Sequence, residues 1–446
     1  MTGDLYEGVS PPRPFAMGSR RSPTDTPLAG PQPTRGLGDG SVPPSDAERV
    51  VYLEPTWKLH LAYESLLHAP PPGYRFLAGD GREHAVIRAA SRFAPAYSAL
   101  YVLDRLVPAH LLKSCWDALT RPPAGTALTY AVNHLVLRDE PWVLDLPCEH
   151  VTNVLGGFRH FNRFRGLVKR VLAGRNCRKI IVSIDAGRKA LQAALDSDLA
   201  GKTDVVYGAV PKKEFAKSFN ENKVKLLFVN SGNIPGQFHA KGGKEALETF
   251  SLLRKRYPHV EMVVRSDVPS PIRKRCEQIE GLRIIDRVVP WEELEREFMT
   301  ADIFLLPAHL TPQMAFLDAM SYELPVVTTD AWGNAEIVED GRTGLLVHDW
   351  PLASHYERML PRYFVPPVGS PEYRDIVAST SPQIVLELVE KLGLLIENAE
   401  LRRRLGRAGR EAVENGRFSI QQRNSTLKRV LDEAISPAEA REYSVA

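Results

Sequence analysis

Between residues 179 and 329 the chain alternates short apolar runs with helical segments, and this rhythm restricts the fold more than any other feature. KIIVSI (179–184), DVVYGAV (204–210), KLLFV (225–229), VEMVV (260–264), LRII (282–285), DIFLL (302–306) and PVVTT (325–329) read as buried strands. Helical spacing falls between them at 188–199, 243–257, 272–279, 290–299 and 313–322. Parallel strands in this order require crossovers, which are right-handed, so the pattern predicts a doubly wound α/β sheet. Residues 215–348 form one such domain on this reading. The half before it closes on the same rhythm and predicts a second.

The flanks behave differently. The first 50 residues hold nine prolines and seven glycines with almost no apolar periodicity. Such a segment cannot bury enough surface to offset its ordering entropy, so 1–48 is expected to be a disordered extension. The domain expectations are then 49–210 for the first unit and 215–405 for the second, with 351–382, which carries six prolines, as an insertion. Helical patterns at 384–398, 400–415 and 420–435 follow, and 406–440 is expected to cross back to the first domain.

Composition narrows the function classes. Lys+Arg 57 against Asp+Glu 54 leaves a formal charge of +3, too small an excess of base for a polyanion-binding protein, and nucleic acid is not an expected partner. The four cysteines, Cys115, Cys148, Cys177 and Cys276, stand far apart with no histidines at ligand spacing, so no metal site is expected. The same spread suits a reducing, cytoplasmic interior. No apolar run approaches the roughly 18 residues of a membrane span.

In an open parallel sheet the ligand lies beyond the carboxyl ends of the strands, where helix amino termini present unpaired N–H groups. The loop after KLLFV, NSGNIPGQFHAKGGKE (230–245), offers Gly232, Gly236, Gly242 and Gly243 for close backbone approach and Lys241 just before a helix. A phosphate suits that loop; so does a plain glycine turn with a solvated lysine. Arg265, after VEMVV, can grip an oxyanion or pair with Asp267. Asp318, early in the helix after PAHLTPQ (307–313), can accept both hydroxyls of a ribose or simply complement the helix dipole.

Taken together these loops resemble the donor-binding domain of family-4 retaining glycosyltransferases (glycosyl transferases group 1), which have the GT-B fold. The resemblance rests on HAKGGKEALETF (239–250), FLDAMSYELPVVTTD (316–330) and GNAEIVEDGRTGLLV (333–347), the last being the strongest match. It implies two Rossmann-like domains facing a cleft, and a hexosyl-type transfer (EC 2.4) from a nucleotide-sugar to a carbohydrate, lipid-linked or small-molecule acceptor, with retention of configuration. No cofactor or metal is implied.

By position in the family, Lys241 would hold the donor diphosphate and Asp318 the ribose, with Glu336 near the donor. Gly232, Asn233, Gly242, His309, Thr311, Gln313 and Met314 would line the same site, and Arg265, inferred from its strand-end position and not from the family, would supply a second positive charge. Three departures stand out. The family's first glutamate is Leu310, with His309 the nearest polar residue; a family glycine is Gln313; and an arginine before the lysine is Asn233. Leu310 and Gln313 motivate an alternative in which the chain is a catalytically impaired scaffold or sugar-nucleotide sensor. A nucleotide-sugar epimerase of the same architecture is a further alternative.

For the acceptor, the first half offers His134, Asp145, Glu149 and His150, of which His150 is the expected catalytic histidine by comparison with the family. The segment FRHFNRFRGLVKRVLAGRNCRK (158–179) carries eight Lys/Arg and no acid, with phenylalanines at near-helical intervals. That composition fits a peripheral membrane contact, and equally a solvated basic face over a buried apolar stripe.

Overall fold

The computed structural model describes residues 48–55, 63–78, 108–147, 151–195, 197–217, 222–230, 237–287, 289–353 and 371–436. The expected extension up to residue 47, residues 354–370 of the expected insertion, and Cys148, Glu149, His150, Gly232, Asn233 and Gly236 lie outside the described residues.

The first lobe runs β1 (Arg49–Pro55), α1 (Glu64–His68), β2 (Tyr74–Ala78), α2 (Ala109–Asp117), β3 (Thr126–Val132), β4 (Trp142–Leu146), a 3-10 turn at Val151–Leu155, α3 (Phe158–Ala173), β5 (Cys177–Val182), α4 (Asp185–Leu195), a second 3-10 turn at Ser197–Lys202, and β6 (Thr203–Val205). The second lobe continues with β7 (Val224–Val229), α5 (Gly243–Arg256), β8 (Val260–Arg265), α6 (Ser270–Cys276), β9 (Leu282–Ile285), α7 (Trp291–Thr300), β10 (Ile303–Leu305), α8 (Gln313–Ser321), β11 (Val326–Thr329), α9 (Asn334–Ile337) and β12 (Gly344–Val347). Four helices close the described chain: α10 (Pro371–Ala378), α11 (Pro382–Glu397), α12 (Ala399–Glu414) and α13 (Ile420–Ile435).

Each lobe is built on a six-stranded parallel sheet, ordered β2-β1-β3-β4-β5-β6 and β12-β11-β10-β7-β8-β9. The strands are apolar because helices cover both faces of a parallel sheet; Leu226, Leu227, Phe228, Ile303, Phe304 and Leu305 are all wholly buried. The direction of winding reverses between β1 and β3 in the first sheet and between β7 and β10 in the second, and such switch points open a crevice at the strand ends.

α11 and α12 pack on the second lobe, so the expected boundary at 405/406 falls inside a helix. The helix that reaches the first lobe is α13. Its Leu427, Val430, Leu431 and Ala434 share an apolar cluster with Val51, Leu53, Phe76, Leu128 and Ile181. Asp432 accepts from the Tyr74 hydroxyl at 2.6 Å and pairs with Arg49 at 3.0 Å, while Glu433 pairs with Lys179 at 2.5 Å.

Two local expectations change. The run at 204–210 is a strand only to Val205, because the edge strand β6 has a single neighbour and the chain then turns toward the other lobe at Gly208. A Cβ at Gly208 would stand 3.0 Å from the Met314 sulfur, a close approach to a flexible side chain of the other lobe. The basic segment forms α3, whose Phe161, Val168 and Leu172 are wholly buried in the first lobe. Its apolar stripe is thus part of the core, and only the flank carrying Arg163 and Arg170 faces solvent.

Candidate active site

The second lobe's switch point is closed by two loops in contact. After β7 the chain returns through a turn to Lys241 and Gly242, where α5 begins. Gly242 has φ +71°, and a Cβ there would lie 2.0 Å from the carbonyl oxygen of Pro307 in the loop after β10. Only glycine meets both conditions. Lys241 is buried beside this contact, immediately before the positive end of α5. On the other side of β7, Arg265 ends β8 in register with Val229, and its guanidinium donates to the Asn230 carbonyl at 2.6 Å. Burial pulls the Arg265 pKa down, opposed by the charge of Asp267. Arg265 thus ends the strand beside β7, and Lys241 directly precedes the first amides of α5.

The loop after β10 departs from what its polar residues suggest. His309 is 1% exposed, and its Nδ1 lies 2.6 Å from Asp349 Oδ2 while Nε2 faces Glu245 Oε1 at 3.8 Å. Burial alone would discharge the imidazole, but the two carboxylates outweigh it and hold the pKa up at about 10. His309 is thus an imidazolium locked between α5 and the segment after β12. Its carbonyl receives the Trp332 indole N–H at 2.8 Å and the Tyr373 hydroxyl at 2.9 Å. Leu310 packs into the adjacent apolar cluster of Ala240, Ala331, Leu352 and Tyr373. Trp332 itself has φ +61°, a strained setting for a bulky residue and one that marks functional loops.

Asp318 lies on α8, where burial lifts its pKa to about 6 and the Lys213 ammonium opposes that rise. Lys213 comes from the segment joining the lobes, its Nζ 5.2 Å from the Trp291 ring centroid and 5.3 Å from that of Tyr322. Sequence reasoning passed over Lys213 and Trp291, since nothing in their neighbourhoods marks a site.

The remaining residues lie along the seam, where Gln313 and Glu336 meet the other lobe. The Gln313 amide donates to the Ser183 carbonyl at 3.2 Å, Met314 packs on Gly208, and the Thr311 hydroxyl accepts from Gly333 N at 3.0 Å. Glu336 accepts from Asp185 N at 2.6 Å and Ala186 N at 2.8 Å, at the start of α4. These contacts bring the carboxyl edges of the two sheets face to face.

At the first lobe's switch point, His134 is wholly buried with Nε2 3.0 Å from Glu54 Oε1, and Arg138 bonds the other oxygen of the same carboxylate. Burial alone would raise the Glu54 pKa, yet His134 and Arg138 bring it to about 2. Asp117 joins Glu54 and His134 at metal-ligand spacing, but Lys113 pairs with it, so the group reads as a neutralised ion network. Asp145, with its pKa raised to about 6 by burial, accepts from the Tyr130 hydroxyl at 2.7 Å. Glu54 was invisible as a partner because 80 residues separate it from His134.

Residues 225–360 match the family model described as "Glycosyl transferases group 1". Over 86 residues the chain is 30% identical to the alpha-maltose-1-phosphate synthase of Mycolicibacterium smegmatis, a stretch covering 19% of this chain and 22% of that relative's length. Among solved structures, Anabaena Alr3699/HepE in complex with UDP-glucose superposes with a TM-score of 0.53 at 15% identity, over 86% of this chain and 99% of that one. WaaG, a glycosyltransferase involved in lipopolysaccharide biosynthesis, gives 0.50 at 15%, over 86% and 98%. TarM gives 0.52 at 14%, over 74% and 58%. Structural likeness at these identities speaks for the fold. Residues 225–360 of this chain are therefore similar to the group 1 glycosyl transferases, and the two lobes together have the GT-B fold.

Proposed function

We propose that the chain transfers a sugar from a nucleoside diphosphate donor, held at the second lobe's switch point, to an acceptor in the first lobe, with retention of configuration. The observation that carries this reading is the buried Lys241 immediately before the positive end of α5, with Arg265 at the end of β8, the strand beside β7. As the bond from the anomeric carbon to the phosphate oxygen breaks, negative charge collects on the diphosphate. Fixed cations and helix amides offset that charge without a proton donor or a metal. The acceptor hydroxyl forms the new bond on the same face, and its proton passes to the departing phosphate oxygen. A glycosidase-type pair of carboxylates is not needed for such a step.

Asp318 is assigned to the ribose, its desolvated carboxylate gaining two hydroxyl donors on binding. HepE was solved with UDP-glucose, which makes UDP-sugars the first donors to test. His150 keeps its proposed place at the acceptor. The solvent-facing basic flank of α3 is offered as the surface for anionic headgroups around a lipid-linked acceptor.

A second reading has one observation in its favour: Leu310, at the position of the family's sugar-contacting glutamate, packs into an apolar cluster. Such a chain would bind a nucleotide-sugar without transferring it. A thermal-shift screen of UDP-sugars, followed by an assay for released UDP with the stabilising donor, separates the two. Stabilisation with release supports transfer, and stabilisation without release across acceptors supports the sensor. No stabilisation by any nucleotide-sugar overturns both.

A further inference from the structure

Glu336 meets the amino terminus of α4 across the seam between the lobes. Asp185 N donates to Oε2 at 2.6 Å and Ala186 N to Oε1 at 2.8 Å, so both carboxylate oxygens are engaged by the first two amides of a helix in the opposite lobe. These amides have no partner inside their own helix, and a carboxylate there complements the helix dipole. An ordinary cap comes from the residue just before the helix, whereas this one comes from 150 and 151 positions away.

Three further contacts converge on the same spot. A Cβ at Gly333 would stand 2.5 Å from Ile184 Cδ1, so the lobes meet here closely enough that a side chain would force Ile184 to shift. The Gln313 amide reaches the Ser183 carbonyl, and the Tyr207 hydroxyl donates to Glu336 Oε2 at 3.4 Å. Thr311 binds the Gly333 amide, which ties the loops after β10 and β11 into one unit.

We propose that Glu336 is a positioning residue, an interlobe latch that caps α4 and fixes the closed relation of the two lobes, with its carboxylate committed to the seam instead of to the donor. Separating the lobes uncovers two helix amides and takes both of their bonds from the carboxylate. The latch is a property of the chain without ligand, so it stands apart from the proposed transfer reaction.

The test is amide hydrogen exchange resolved at residues 185 and 186 in the full chain without nucleotide, joined to small-angle scattering, for the wild type, Glu336→Ala and Glu336→Gln. Glu336→Ala is expected to speed exchange at both amides by about tenfold or more, the loss of two charge-assisted bonds, and to enlarge the radius of gyration. Glu336→Gln keeps one acceptor oxygen and should fall between, a partial rescue that a purely steric role would not give. Unchanged exchange overturns the latch. Faster exchange with unchanged scattering reduces Glu336 to a helix cap and equally overturns it. Where circular dichroism shows Glu336→Ala unfolded, Glu336→Gln against wild type decides by the same criteria.

Discussion

The imidazole of His309 and the carboxylate of Asp349 meet at 2.6 Å in a space from which water is almost wholly excluded, each residue at most 2% exposed. The histidine's folded pKa of about 10 lies above its ordinary value of 6.5, because the two neighbouring carboxylates outweigh burial. A raised pKa means that the stabilisation is fully present below pH 6.5 and is lost as pH rises through 10. Urea unfolding of the wild type should therefore show stability declining between pH 7 and 10, a slope that Asp349→Asn removes. At pH 7 the substitution should cost about 3 kcal/mol, since it leaves a buried charge without its main partner.

Asp318 obeys the same rule with a different result. Its pKa is raised from 3.8 to about 6, so the folded state resists ionisation and stability falls as pH rises through 6. In the absence of ligand, Asp318→Asn should stabilise the chain at pH 7.5 by about 1 kcal/mol and have little effect at pH 4. Calorimetric titration with UDP should show weaker binding to the same variant. Equal affinity would separate Asp318 from the ribose.

Lys241→Ala should weaken UDP binding by about tenfold or more, read by the same titration. Gly242→Ala should do more. Its methyl group meets the Pro307 carbonyl at 2.0 Å on a backbone at φ +71°, so thermal unfolding should report a loss of about 2 kcal/mol together with abolished binding.

On α3, core and surface should respond separately. Phe161→Ala, at a wholly buried position, should cost about 3 kcal/mol in denaturant unfolding. The double reversal Arg163→Glu with Arg170→Glu should leave stability within about 0.5 kcal/mol and reduce co-sedimentation with phosphatidylserine vesicles at low salt. Equal sedimentation of the double variant and the wild type would remove α3 as a lipid-facing surface.

The second lobe was the more legible half because parallel strands covered on both faces, such as KLLFV and VEMVV, stand out as short apolar runs in a helical background. The same logic overextended β6, where a short edge strand leads straight into a linker of similar composition. Lys241, Gly242 and Arg265 could be found because strand ends and glycines give away a switch point. Partnerships were not legible. Nothing in the neighbourhood of His309 shows that Asp349 and Glu245 enclose it, and Glu336 gives no sign that it reaches for Asp185 and Ala186. Such pairings depend on how two sheets face each other, which local pattern does not encode.

The last described helix, α13, supplies Leu427, Val430 and Leu431 to the first lobe's interior although nearly the whole second lobe separates it from that lobe in the chain. During synthesis, then, the lobe translated first waits with one flank bare until the final turns of α13 emerge. Until that moment its half-finished interior is a candidate for chaperone capture, and an interruption between the lobes and this helix would strand both.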